Sequence, residues 1–190
     1  MGYIVFMQTS RRLFFLIGVF ILFAGESAYA AGKAFVADDG VCKRPAATQL
    51  AWLDAAEWGP FTEYIRVCSV RSGKSPVALL LISVWADLYY SDKPAGSETV
   101  AMPKPLLFNP RGRRVGELPV NFPSDPPAEL VLRFTDWRKG FPHEVRLCVA
   151  SPTASGDQAL APLRYQPAAQ RYEQVTGEGA GPRDGACRGR

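Results

Sequence analysis

The sequence predicts a mainly β protein, an antiparallel β-sandwich or small barrel with one short N-terminal helix. Three observations predict it. Sixteen Pro and seventeen Gly among 190 residues, with 12% aromatics, punctuate the chain too often for long helices. From Phe61 onward, short segments rich in β-branched and aromatic residues recur between turn-forming clusters. No strand–helix–strand unit can be traced, which disfavours a dinucleotide-binding fold.

Residues 1–30 read as a cleavable export signal. Arg11 and Arg12 form a positive n-region, and Leu13 to Ala24 is a run of twelve residues that are apolar except for Gly18. That run is short for a bilayer span. Ala28-Tyr29-Ala30 places small residues where a signal peptidase reads them. Ser10-Arg11-Arg12-Leu13-Phe14-Phe15 resembles a twin-arginine signal, so the general and the twin-arginine export routes both stand. The expected domain plan is a signal over 1–30, one β-rich domain over 31–176 and a flexible tail over 177–190. The expected compartment is the periplasm or the exterior, with no stable membrane anchor after cleavage.

The elements follow in order. Ala31 to Gly40 reads as an exposed leader. Pro45 to Trp58 has helical spacing, a Pro suited to a first helical position and a Gly59-Pro60 stop, with Trp52 and Trp58 expected against a sheet. Phe61–Val70 reads as a strand, and Arg71 to Ser75 as a turn. Pro76–Tyr90 runs almost continuously apolar and reads as a central strand. Between Ser91 and Ala128 the prolines allow only short edge strands, placed at Thr99–Met102, Leu106–Phe108 and Val115–Leu118. Glu129–Trp137 and His143–Ala150 alternate cleanly on either side of a turn at Arg138–Pro142. Ala159–Gln166 and Arg171–Thr176 form a last hairpin around Pro167–Gln170. The endings Arg66-Val67-Cys68 and Arg146-Leu147-Cys148 echo each other. Alternation places each Arg and Cys on one face, away from the apolar one.

The full chain carries +4, and loss of Arg11, Arg12 and Glu26 with the leader leaves +3. This is far from the basic stripe of a nucleic-acid binder. All four cysteines, Cys42, Cys68, Cys148 and Cys187, follow the leader, and an even count in an exported chain predicts two disulfides. Sequential pairing, Cys42–Cys68 with Cys148–Cys187, closes the shorter loops; Cys68–Cys148 is its rival. The spacings fit no zinc pattern or redox pair, and no cofactor or metal is expected.

Groups that could carry chemistry are sparse. His143 is the sole histidine. As a triad member it would need Asp136 or Glu144 behind it and a serine nucleophile, and no Gly-x-Ser-x-Gly stretch supplies one. As a solvated residue at a strand start it needs nothing. Asp87, Glu117, Asp125, Asp136 and Glu144 show no spacing that selects a hydrolytic pair. Ser72-Gly73-Lys74-Ser75 lacks the first glycine and the following helix of a phosphate-cradling loop. Two sets remain as partner-binding candidates. Arg111, Arg113 and Arg114 crowd the tip of a Pro-flanked hairpin, where guanidinium groups can dock carboxylate or phosphate. Tyr89, Tyr90 and Trp137 lie beside turns, where aromatics can anchor a partner. The expected function is therefore binding of a protein or cell-envelope component, inhibitor- or immunity-like, through the Asn109–Arg114 tip. A small envelope hydrolase and a structural envelope component are the alternatives.

Overall fold

The structure, a computed structural model, describes residues 34–35, 42–94, 97–121, 129–150 and 158–176. The chain divides into two units, Met1–Ala30 and Ala31–Arg190, and every described residue belongs to the second. The expected signal, Asp125, Cys187 and the expected tail lie outside the described residues.

Strand-forming sequence and turn chemistry produce two antiparallel sheets. One is ordered β1-β7-β8-β9-β10 and contains Ala34–Phe35 (β1), Glu129–Arg138 (β7), Phe141–Ala150 (β8), Gln158–Gln166 (β9) and Arg171–Gln174 (β10). The other is ordered β2-β3-β4-β5-β6, from Cys42–Lys43 (β2), Ile65–Val70 (β3), Leu79–Val84 (β4), Leu106–Phe108 (β5) and Arg114–Glu117 (β6). Among the described residues no closed barrel forms. Lys139 and Gly140 both have positive φ, 51° and 78°, and close β7 onto β8 as a two-residue hairpin.

The strand β4 explains the long apolar run. All six of its residues are buried, and the five apolar ones serve two cores on opposite faces. Leu79 and Leu81 join a core that also holds Leu132 and Phe134 of β7, Val145 and Leu147 of β8, and Tyr172 of β10. That core therefore draws on both sheets. Leu80, Ile82 and Val84 face a second core with Leu53, Trp58 and Phe61. A strand buried on both faces needs no polar alternation, so its sequence reads as continuous. Each fully buried leucine contributes about 2 kcal/mol.

The second core is roofed by short helices. The helix expected over Pro45–Trp58 is two single turns, Ala47–Leu50 (α1) and Ala55–Trp58 (α2). The break comes from Asp54, whose extended backbone and carboxylate start α2 by accepting from the N–H groups of Ala56 and Glu57 at 2.8 and 3.4 Å. Gly59-Pro60 ends the α-helical run as expected, with Gly59 as the C-cap of α2, but the path continues as a 3₁₀ helix over Gly59–Tyr64, so the strand expected from Phe61 begins at Ile65. Trp58 is buried in the second core, and Trp52 packs at its margin.

Four further expectations are corrected. The apolar run leaves its strand at Val84, and Ala86–Ser91 forms a helix (α3). Thr99–Met102 forms no strand. The stretch read as an exposed leader contributes β1, which pairs Ala34 with Arg133 and Phe35 with Leu132. Cys68 does not lie on a solvent face: it is fully buried in the two-sheet core while Val67 faces the helices, because both faces of β3 are covered.

Cys42 and Cys68 face each other across β2 and β3 and are bonded, with Cα atoms 3.9 Å apart. The rival pairing of Cys68 with Cys148 is thereby excluded. Cys148 is itself disulfide-bonded. Among the described residues no helix is long and apolar enough to cross a membrane.

Candidate functional site

The Asn109–Arg114 tip connects β5 to β6, and its shape is set by two residues. The Asn109 side-chain oxygen accepts from the backbone N–H of Arg111 at 2.9 Å and of Arg113 at 3.0 Å. The Asn109 N–H donates to the Arg113 carbonyl at 2.9 Å, and Gly112 N–H donates to the Asn109 carbonyl at 3.0 Å. The loop is thus closed on Asn109 by four hydrogen bonds. Gly112 has φ +84° and lies against the Trp52 indole, where a Cβ would sit 2.5 Å from a ring carbon. Trp52 in turn packs on Phe108, with ring centroids 5.5 Å apart.

The three arginines of the tip have different occupations. Arg113 donates to the Gln170 side chain in the β9–β10 turn, which ties a turn of one sheet to a hairpin of the other. Arg114 pairs with Glu117, which also faces Lys104 at 3.8 Å. Arg111 is exposed, and among the described residues only its backbone is engaged, in closing the loop.

The aromatic candidates lie elsewhere. Tyr89 and Tyr90 are half-buried on α3. Tyr89 packs against Phe61 and Tyr64 with centroids 5.5 and 5.1 Å away, and the Lys93 ammonium lies 4.8 Å over its ring. The Tyr90 hydroxyl accepts from Val100 N–H at 3.2 Å. Trp137 packs at the margin of the two-sheet core, and its indole N–H donates to the Phe134 carbonyl at 2.7 Å. Among the described residues, no hydrogen bond, ion pair or ring contact joins these three aromatics to the three arginines. Their packing roles account for their positions.

His143 stands third in β8, beside the β7–β8 turn, half-buried, with its ring 5.9 Å from Phe141 and 5.6 Å from Tyr165. The carboxylates that could have oriented it hold arginines instead. Asp136 binds Arg138 at 3.0 and 2.8 Å. Glu144 accepts from Arg146 at 2.6 Å and from Arg164 at 3.1 Å. Burial pushes the Glu144 carboxyl up, but the two arginines outweigh it and hold it below the ordinary carboxylate range. Among the described residues, no group of three or more His, Cys, Asp or Glu is placed to hold a metal ion.

A feature that sequence reasoning missed lies on the helix-facing side of the β2–β3–β4 sheet. A cleft of about 510 Å³ is lined by Lys43, Arg44, Ala46, Gln49, Val67, Ser69, Arg71 and Leu80. Register brings these together: Lys43 lies opposite Val67, and Ser69 lies opposite Leu80. The signal in the sequence was weak. Lys43-Arg44 and Arg71 are 27 or more residues apart; the first pair precedes the expected helix, and Arg71 begins what reads as an ordinary turn.

No protein-family model matches the chain, nor does any curated protein or solved structure.

Proposed function

We propose that the chain is an exported, non-enzymatic binding protein, built on a sandwich-like pair of sheets, that docks an acidic surface of a partner protein through the Asn109–Arg114 tip. The observation that carries this reading is the closure of the tip before any partner arrives. Four hydrogen bonds centred on Asn109 and the seat of Gly112 on Trp52 hold the backbone in one shape. A loop already ordered loses little entropy on binding, so its exposed guanidinium groups can yield net affinity. Arg111 leads the contact, and Arg113 is the second cation at the same tip. Guanidinium suits paired contacts with carboxylates, and like-signed surfaces would be rejected. A hydrolase reading loses support because Asp136 and Glu144 are engaged with arginines and His143 is packed among aromatics.

The test is a matched affinity capture. Tagged protein lacking residues 1–30, and the same protein carrying Arg111→Glu with Arg113→Glu, are exposed to periplasmic and culture extracts. One stoichiometric protein, retained by the native tip through a moderate salt wash and lost by the double variant, is expected. Equal retention by both overturns the tip assignment. No retained protein in either overturns the binding reading.

A further inference from the structure

The geometry points to the cleft beside β2 as a binding site for a small, soluble organic phosphomonoester, a site separate from the hairpin tip. Each of its polar side chains can donate a hydrogen bond. Lys43, Arg44 and Arg71 are cations, Ser69 supplies a hydroxyl, and no carboxylate lines the cleft. The Gln49 side-chain oxygen is already used in accepting Ala46 N–H at 2.8 Å, which leaves its NH₂ group to donate. A concavity lined by three cations and no carboxylate calls for an anion.

Charge sets which anion. Arg44 is paired with Glu63 at 3.2 Å, outside the lining, while Lys43 and Arg71 have no ion pair among the described residues. Two uncompensated cations match a dianion. A phosphomonoester carries a charge of about −1.5 to −2 at neutral pH and three strong acceptor oxygens. A carboxylate carries half that charge and fewer acceptors. The apolar lining sets the rest of the ligand. Val67 and Leu80, buried side chains of the second core, supply an apolar part of the lining. They favour an ester with an apolar or ring-shaped body over the bare ion. The volume lies within the ordinary range for small-molecule sites, roughly 300–1,000 Å³.

The disulfide makes the rim possible. The strand β2 has only two residues, and the Cys42–Cys68 bond fixes it against β3. That register puts Lys43 opposite Val67 and Arg44 at the cleft edge. Without the bond, a two-residue strand would hold its cations too loosely to form a site.

The test uses phenyl phosphate as probe, with isothermal titration calorimetry on the oxidised protein lacking residues 1–30. Benzoate, phenol and inorganic phosphate are compared at the same pH. Saturable one-to-one binding of phenyl phosphate is expected, about tenfold or more tighter than benzoate or inorganic phosphate, with no saturable binding of phenol. Lys43→Gln and Arg71→Gln should each weaken it about tenfold, while Lys139→Gln, an exposed cation in the β7–β8 turn, should leave it unchanged. Affinity should fall on acidification below about pH 6, where the ligand loses its second charge. Near-ultraviolet circular dichroism checks that both cleft variants keep the native fold. Absence of phenyl phosphate binding overturns the site. So does binding that is insensitive to Lys43→Gln and Arg71→Gln together. Equal affinity for benzoate overturns the phosphate class, and equal affinity for inorganic phosphate overturns the role of the apolar lining. Binding to phosphatidic acid vesicles without binding to phenyl phosphate would move the ligand from solution to a lipid headgroup and overturn the soluble assignment.

Discussion

Glu144 holds the outer face of β8 and its neighbours together. Its carboxylate accepts from Arg146 and Arg164, with the Thr135 hydroxyl 3.4 Å away, and its side chain is only 12% exposed. Arg133 and Arg146 lie directly opposite each other in the register, so this face gathers guanidinium groups around Glu144. Burial alone would raise the Glu144 pKa, yet the two guanidinium partners lower it on balance. A lowered folded-state pKa contributes stability above the unfolded carboxylate pKa and loses it as pH falls through the lower folded value. Glu144→Gln should therefore cost about 2 kcal/mol at pH 7. The gap between variant and native protein should close as pH falls from about 5 toward 3. Urea unfolding at several pH values measures this, and a gap that stays constant would refute it. Alternation in the sequence already puts Glu144 and Arg146 on one face. Arg164 could not be added from sequence, because its place opposite Glu144 depends on the β8–β9 register and its irregularity after Val145.

The β5–β6 hairpin shows how local chemistry and packing divide the work at the scale of an element. Asn109 and Gly112 mark a turn in the sequence, and the hairpin forms where that chemistry places it. Its support from Trp52 is not local, since Trp52 lies between α1 and α2, on the stretch that spacing reads as one helix. Asp54 overrides that spacing by capping a new turn, and the resulting bend brings the indole under Gly112. Gly112→Ala should lower stability by about 2 kcal/mol, from the unfavourable φ and the clash with the indole. The urea midpoint should fall accordingly, with the slope of the transition unchanged. An unaltered midpoint would mean that the tip does not rest on Trp52. Gly112→Ala should also weaken partner capture, since it loosens the tip without removing a charge.

At the scale of the whole molecule, the Cys42–Cys68 disulfide closes a loop that contains α1, α2 and the 3₁₀ helix, the layer that covers the second core. Its sequence separation of 26 residues corresponds to a loop-closure contribution of about 3 kcal/mol. Cys42→Ser with Cys68→Ser should lower the melting temperature by ~6–12 °C for a domain of this size. Scanning calorimetry on the oxidised proteins tests it, and a drop below about 2 °C would show that the helical layer holds without the bond. The pairing was legible because it closes the shorter loop, and the register of β2 on β3 supplies its geometry.

Composition, turn residues and period-two alternation determined by themselves that this chain is mainly β. They also placed most of its strands, the hairpin turns and the Cys42–Cys68 pair. These properties depend on local backbone preference and short loops, which a linear sequence records directly. Tertiary structure alone decided that β3 and β4 are covered on both faces, which rings His143 and Tyr89 lie against, and which tip arginines are engaged. It also decided that Lys43 and Arg71 share a cleft. Each of these depends on which faces and edges meet across long sequence separations, and a strand's pattern of burial does not state what buries it.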